Sequence, residues 1–144
     1  MPMALRVALC FAAFLASPSA FADGIEPGLW KITTKVDTGG AVSPPNVSGK
    51  CLTTEQANDP AGTFSPVART INSECQPLER TFENGKLTWK LVCRGELNMD
   101  LAGEFNFDSR KHYTATIRSK AEMGGRTVAD SVSTIEAEWV SECQ

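Results

Sequence analysis

The sequence has 144 residues, a formal net charge of −3 and five cysteines. This length suits one domain with a core of its own, since it exceeds the roughly 70–80 residues below which small folds need covalent or metal staples. No run of basic residues occurs along the chain, and this argues against nucleic acid and anionic membrane surfaces as partners.

The first 22 residues have the features of a cleaved secretory signal. Residues 7–16 form an apolar stretch that is too short to span a bilayer as a helix, and Arg6 is the only charged residue of the segment. Ala20-Phe21-Ala22 is a small-x-small cleavage site. We therefore predict cleavage after Ala22, one domain over residues 23–144, and a periplasmic or secreted location. No later apolar run is long enough for a membrane-spanning helix.

Four cysteines remain beyond the predicted cleavage site: Cys51, Cys75, Cys93 and Cys143. An even number in an exported domain predicts two disulfides, for which three pairings are possible. We prefer Cys75–Cys93, which would join the ends of a hairpin, and Cys51–Cys143, which would tie the C-terminus to the first third of the chain. A zinc site is disfavoured because the chain has no Cys-x-x-Cys pair and one histidine. We therefore predict neither a metal site nor a cofactor.

The first half of the domain shows short elements. Residues 29–37 alternate apolar and polar side chains, which predicts a strand. Residues 38–49 contain a glycine pair and a proline pair, a composition typical of a loop. After a short strand at residues 50–52, a Thr-x-x-Gln sequence predicts a capping box that opens a helix over Thr54–Asn58. Residues 60–73 have little periodicity and are interpreted as an ordered loop.

A hairpin over residues 78–93 has the clearest local pattern. Asn84-Gly85 is the strongest two-residue turn signal, and it places Thr81 opposite Thr88 between two pairs of opposite charge. The other face of the hairpin is predicted to be core and carries Leu78, Phe82, Leu87, Trp89 and Leu91.

The second half continues with long alternating segments. These are residues 97–107, with a bend at Gly103, then residues 113–118 and 133–140. Short turns between neighbouring strands predict an antiparallel meander with one apolar face. We predict a mainly all-β fold, a curved meander sheet or small barrel with one short helix, closed partly by residues 54–73.

The sequence contains no hydrolase elbow and no phosphate-binding loop. His112 lies on the polar face of its predicted strand, which favours a solvated surface histidine over a catalytic one. The aromatic side chains fall on inward faces, where they would either fill the core or line a cavity for a hydrophobic ligand. For such a cavity, the candidate lining residues are Trp30, Trp89 and Phe105.

Several short motifs follow one another along the whole predicted domain. They are Pro27-Gly28-Leu29-Trp30, Cys51-Leu52-Thr53, Gly85…Trp89…Cys93 and Trp139-Val140-Ser141-Glu142-Cys143. As an ordered set they resemble a family of small exported bacterial proteins known as domain of unknown function 3617. The resemblance implies a periplasmic or secreted location and two disulfides. It implies no established activity, so no catalytic residues follow from it.

The hypothesis that best fits the sequence is a periplasmic, non-enzymatic binding or interaction module. Its partner would be a hydrophobic small molecule, a lipid or an envelope protein. One alternative is an envelope-acting hydrolase that uses His112. Another is an inhibitor of an attacking enzyme, which would present residues 38–49 as a protruding loop.

Overall fold

The computed structural model describes residues 24–67 and 73–144, which contain nine strands and two short helices. The predicted signal peptide and its cleavage site lie outside these residues. In chain order the elements are β1 (Gly28–Thr38), β2 (Ala41–Val42), β3 (Asn46–Leu52), α1 (Thr54–Asn58), α2 (Pro60–Thr63), β4 (Ser73–Cys75), β5 (Glu79–Glu83), β6 (Lys86–Gly95), β7 (Leu97–Ser109), β8 (His112–Met123) and β9 (Arg126–Ser141).

The nine strands form one antiparallel sheet that does not close into a barrel. The order is β2-β1-β9-β8-β7-β6-β4, with β3 on the free side of β1 and β5 on the free side of β6. Consecutive pairing from β6 to β9 confirms the predicted meander. The first long strand, β1, lies beside the last strand of the chain.

The hairpin of β5 and β6 has the predicted turn and register. Asn84 and Gly85 both have positive φ, 51° and 72°, as a tight two-residue hairpin turn requires. Thr81 pairs with Thr88, and their hydroxyl oxygens are 2.6 Å apart. The local turn chemistry is therefore sufficient to set the register of this hairpin.

Both predicted disulfides, Cys75–Cys93 and Cys51–Cys143, are confirmed. Continuing the β5–β6 register would place Cys75 opposite Arg94. In the structure Cys75 pairs with Cys93, because the pairing with β6 is interrupted between Gln76, whose N–H still donates to the Val92 carbonyl oxygen, and Glu79. The register shifts by one residue across this break. Pro77 lies in this break, where its missing N–H costs no ladder hydrogen bond.

The prediction of a loop over residues 38–49 was wrong for most of its length. Gly39 and Gly40 form a tight turn between β1 and β2, and β3 then pairs with β1 from Asn46 onward. The prolines occupy only the interruption between β2 and β3. Pairing prevails here because it satisfies the backbone groups along one side of β1, which would otherwise form an open sheet edge.

The predicted helix Thr54–Asn58 is confirmed, together with its capping box. The Thr53 hydroxyl accepts a hydrogen bond from the Gln56 amide, and the Gln56 side chain accepts one from the Thr53 amide. A second short helix, α2, follows it within residues 60–73, which were predicted as a loop. It begins at Pro60 because a proline at the first helical position needs no N–H partner.

The helices cover one end of one sheet face, here called the inner face, which carries Trp30, Trp89, Phe105 and Tyr113. Phe64, which follows α2, lies 5.4 Å from Phe105 and 5.1 Å from Tyr113 between ring centroids. The buried cluster consists of Ile25, Trp30, Leu52, Ala57, Leu87, Trp89, Phe105, Phe107, Tyr113, Ala115 and Ala137.

Gly103 lies opposite Trp89 in the pairing of β6 with β7. A Cβ atom added at Gly103 would overlap the Trp89 indole ring. The strand runs through this position without interruption. The glycine predicted to bend the strand therefore allows the Trp89 ring to lie flat against the backbone of β7.

Candidate functional site

The central part of the inner face is uncharged across five neighbouring strands. Cross-strand partners share a face, so the registers determine which side chains lie together. Alternate residues within 30–36, 131–137, 113–119, 101–107 and 87–93 occupy this face, and none of them is charged. The opposite face, here called the outer face, carries the charged side chains of these strands, except that Arg126 pairs with Met123 at the far end of the inner face.

The inner face has a closed half and an open half. The closed half is the aromatic cluster under α1, α2 and Phe64. The open half lies farther along β1, β9, β8 and β7 and begins with Ile32, Leu101, Ile117 and Ile135. These four side chains pack against the cluster but are only partly buried. On β6 the corresponding side chains, Leu91 and Cys93, are buried.

We take the open half as the candidate binding site, because it begins with four apolar side chains that are incompletely covered. Beyond them the face carries uncharged hydroxyl side chains, Thr34, Ser119, Ser131 and Ser133.

The three predicted cavity residues all lie in the closed half. Trp30 is fully buried, and its indole N–H donates to the carbonyl oxygen of Glu26 at 2.9 Å. The Trp89 indole N–H donates to the carbonyl oxygen of Phe64 at 3.0 Å. Phe105 is buried among other rings. Their part in ligand binding stays a prediction, in which they would form the closed end of the site.

Sequence reasoning assigned Ile117 and Ile135 to the inward face but did not single them out as site residues. The missing information was which part of the inner face the helical segment would cover. That depends on the long-range contacts of Phe64 with β7 and β8, which no local pattern specifies. Alternation along a strand identifies a face, and it gives no position along that face.

Tyr113 offers a direct test of closure over the aromatic cluster. Burial raises the pKa of its phenol to about 12, and it is the only tyrosine of the chain. The unfolded chain loses this proton near pH 10, so the stability that Tyr113 contributes should be fully present below pH 10 and fall by about 2 kcal/mol as the pH rises to 12. Tyrosinate absorbance and denaturant unfolding across this range would measure both effects.

Tyr113→Phe is the control for this titration, because it removes the phenol and keeps the ring. Its loss of stability between pH 10 and pH 12 should be smaller than that of the natural protein. Tyrosinate absorbance that appears near pH 10 in the folded natural protein would contradict a closed aromatic cluster.

His112 lies at the start of β8 on the outer face. Its Nδ1 atom is 2.8 and 2.9 Å from the two carboxylate oxygens of Asp108, and its Nε2 atom is 3.4 Å from Glu136 Oε1. The hydrogen bond to Asp108 is the main cause that raises the pKa of His112, with a smaller contribution from Glu136. Within the described part of the chain these ring partners are carboxylates, so they do not form a serine–histidine pair.

The structure defines the protein as an open antiparallel sheet with two disulfides, an inner face with an uncharged central part and a last strand that pairs with the first long one. A family model described as protein of unknown function (DUF3617) matches residues 25–143. The chain belongs to this family, which confirms the resemblance of its motifs. Comparisons with curated proteins and with solved structures found no match. No helix in the described residues is long and apolar enough to cross a membrane.

Proposed function

We propose that this protein is a non-enzymatic binding module that holds a hydrophobic small molecule or a lipid chain on the open half of its inner face. The observation that carries the proposal is a sheet face with an uncharged central part that α1 and α2 cover at one end only. Ile32, Leu101, Ile117 and Ile135 remain partly exposed there. Covering such side chains contributes about 25 cal/mol per Å² of apolar surface removed from water.

The site lies beside a rigid, packed cluster. Phe64, Phe105 and Phe107 lie within 6.3 Å of one another between ring centroids, and the helical segment holds Phe64 in place. A ligand on the open half would extend this cluster along the strands. A preformed apolar surface of this kind loses little conformational entropy on binding, which favours affinity.

The alternatives receive less support from the structure. A hydrolase that uses His112 would work on the outer face, away from the apolar site, and the described ring partners of His112 are carboxylates. The alternative of an inhibitor that presents residues 38–49 as a protruding loop is not supported, because the end of this segment belongs to β3 and pairs with β1 in the sheet. An envelope protein remains a second type of partner for the same apolar face.

We place the protein outside the cytoplasm. Two disulfides are consistent with an oxidising compartment. The predicted signal peptide and the periplasmic or secreted location are part of the proposal and agree with this chemistry. Detection of a mature chain that begins at Asp23 in the culture medium or the periplasmic fraction would test them.

A fluorescent fatty acid is a suitable probe of the binding site. We expect saturable binding to the natural protein and binding at least about tenfold weaker in Ile117→Lys, because the new ammonium group would have to leave water when the ligand covers it. Ile135→Thr, a milder change in the same half, should also weaken binding. Fluorescence titration would give the dissociation constants, and thermal unfolding would show that each variant is folded.

Thr116→Lys is the matched control, because it places the same charge on the next residue of β8, on the outer face. It should leave the affinity for the probe unchanged. No saturable binding to the natural protein, or equal losses in Ile117→Lys and Thr116→Lys, would refute the proposed site.

A further inference from the structure

A group of metal-ligating side chains lies on the outer face, at the opposite surface of the sheet from the proposed ligand site. His112 on β8 is the cross-strand partner of Glu138 on β9, and Glu136 is the next residue of β9 on that face. One potential ligand atom from each of these three side chains lies within 4.8 Å of the other two. The pairing of two central strands therefore brings together residues that are far apart in the sequence.

The Asp108 carboxylate fixes the orientation of the His112 ring. Both of its oxygens are within 2.9 Å of Nδ1, so the Nδ1–H bond is held and Nε2 is the atom that carries the lone pair in the neutral ring. Nε2 faces Glu136 Oε1 at 3.4 Å. In the imidazolium form a proton on Nε2 bridges this contact, and in the neutral ring a bound cation could take the place of that proton.

The charges around the cluster leave it acidic. Asp108, Glu136 and Glu138 supply three carboxylates. Lys31 reaches the cluster from β1, with its Nζ atom 3.9 Å from Glu138 Oε2, and Lys111 lies over the Trp139 ring at 4.2 Å from its centroid. The His112 side chain is only 28% exposed, so the imidazole is partly shielded from water. The carboxylate side chains around it are more exposed and can reorient toward a ligand.

We propose that His112, Glu136 and Glu138 bind a divalent first-row transition-metal cation, with Zn²⁺ as the reference ion, and that Asp108 positions the imidazole. One imidazole nitrogen and two carboxylate oxygens suit Zn²⁺, whereas Mg²⁺ and Ca²⁺ prefer oxygen ligands throughout. Three protein ligands on an exposed face leave the fourth position to water. This metal site is independent of the proposed hydrophobic site, because the two lie on opposite faces of the sheet.

Sequence reasoning missed this cluster and predicted no metal site. Short cysteine and histidine motifs are absent from the sequence, and His112 and Glu136 are 24 residues apart. Only the β8–β9 register brings them together. Alternation identified Glu136 and Glu138 as outward residues and gave them no further role.

The test is calorimetric titration of the untagged, disulfide-bonded protein with ZnCl₂ after treatment with a chelator. We expect one Zn²⁺ per chain with an affinity in the micromolar range. His112→Gln and Glu136→Gln should remove most of the binding, and Asp108→Asn should weaken it by about tenfold through its effect on the ring. Co²⁺ in place of Zn²⁺ should give visible absorption bands in the natural protein that disappear in His112→Gln.

Glu104→Gln is the matched control. It removes a carboxylate from the same outer face, but Glu104 lies on β7 and forms an ion pair with Lys86 outside the cluster. It should leave Zn²⁺ affinity unchanged. Circular dichroism and thermal unfolding would confirm that all variants are folded. The proposal is overturned if the natural protein does not bind Zn²⁺, or if folded His112→Gln and Glu136→Gln bind it as the natural protein does.

Discussion

Replacing Cys51 and Cys143 together by alanine should lower the free energy of unfolding by about 4–5 kcal/mol in the chain-entropy model. This disulfide joins residues separated by 92 positions, so its loss releases nearly the whole domain in the unfolded state. Both cysteines are exposed, so the substitutions remove little packing. Guanidinium unfolding under oxidising conditions would measure the change.

The Cys75–Cys93 pair provides the comparison. It closes a loop between residues 18 positions apart, for which the same model gives a stabilisation of about 3 kcal/mol. Cys93 is fully buried, so alanine there also leaves a small cavity, and its effect contains a packing contribution. A loss below about 1 kcal/mol for the Cys51 and Cys143 double variant would contradict a large role for loop closure.

Trp89→Ala should destabilise the fold by about 3–5 kcal/mol, because it opens a large cavity between the helical segment and the sheet. The Trp89 side chain is almost fully buried, and its indole N–H satisfies the Phe64 carbonyl group. Its ring also lies against Gly103. Denaturant unfolding would give the magnitude, and near-ultraviolet circular dichroism would report the packing of the remaining aromatic side chains.

Gly103→Ala tests the contact between Trp89 and β7. In the natural protein the new methyl group would overlap the indole ring, and we expect a cost of about 1–3 kcal/mol. In the Trp89→Ala background this cost should largely disappear, so a double-mutant cycle should give a clear coupling energy. The control is Gly49→Ala on β3, where an added Cβ meets Leu29 only at an ordinary contact distance of 3.4 Å.

Equal effects of Gly103→Ala with and without Trp89 would contradict this account. The glycine would then act through the backbone conformation of β7 alone. A loss of stability in Gly49→Ala as large as that in Gly103→Ala would lead to the same conclusion. It would show that replacing a strand glycine by alanine is costly even without a contact to Trp89.

The sequence predicted those parts of the fold that short segments determine. Asn84-Gly85 was sufficient for the hairpin register, and the Thr53 and Gln56 capping box was sufficient for α1. The hairpin in turn suggested the Cys75–Cys93 pair. In each case the deciding interactions connect residues that are close in sequence.

The missed features depend on contacts between distant segments. β3 forms because the side of β1 away from β9 needs a partner, and this need overrides the glycine and proline signals nearby. The division of the inner face into a closed and an open half depends on which residues of β7 and β8 Phe64 contacts. The His112 cluster depends on the β8–β9 register. Alternation gave the correct face for the long strands that it predicted but could not align strands from distant segments with one another.

The pairing of β1 with β9 has a consequence for the order in which the protein is made. Synthesis proceeds from the N-terminus, so β1 leaves the ribosome first and its long partner leaves last. β1 can pair early with β2 and β3, which follow it directly, whereas its pairing with β9 is a contact of very high sequence separation. Until β8 and β9 are in place, Trp30, the largest fully buried side chain of the finished fold, lacks its ring contact with Tyr113 and its cross-strand partner Trp139.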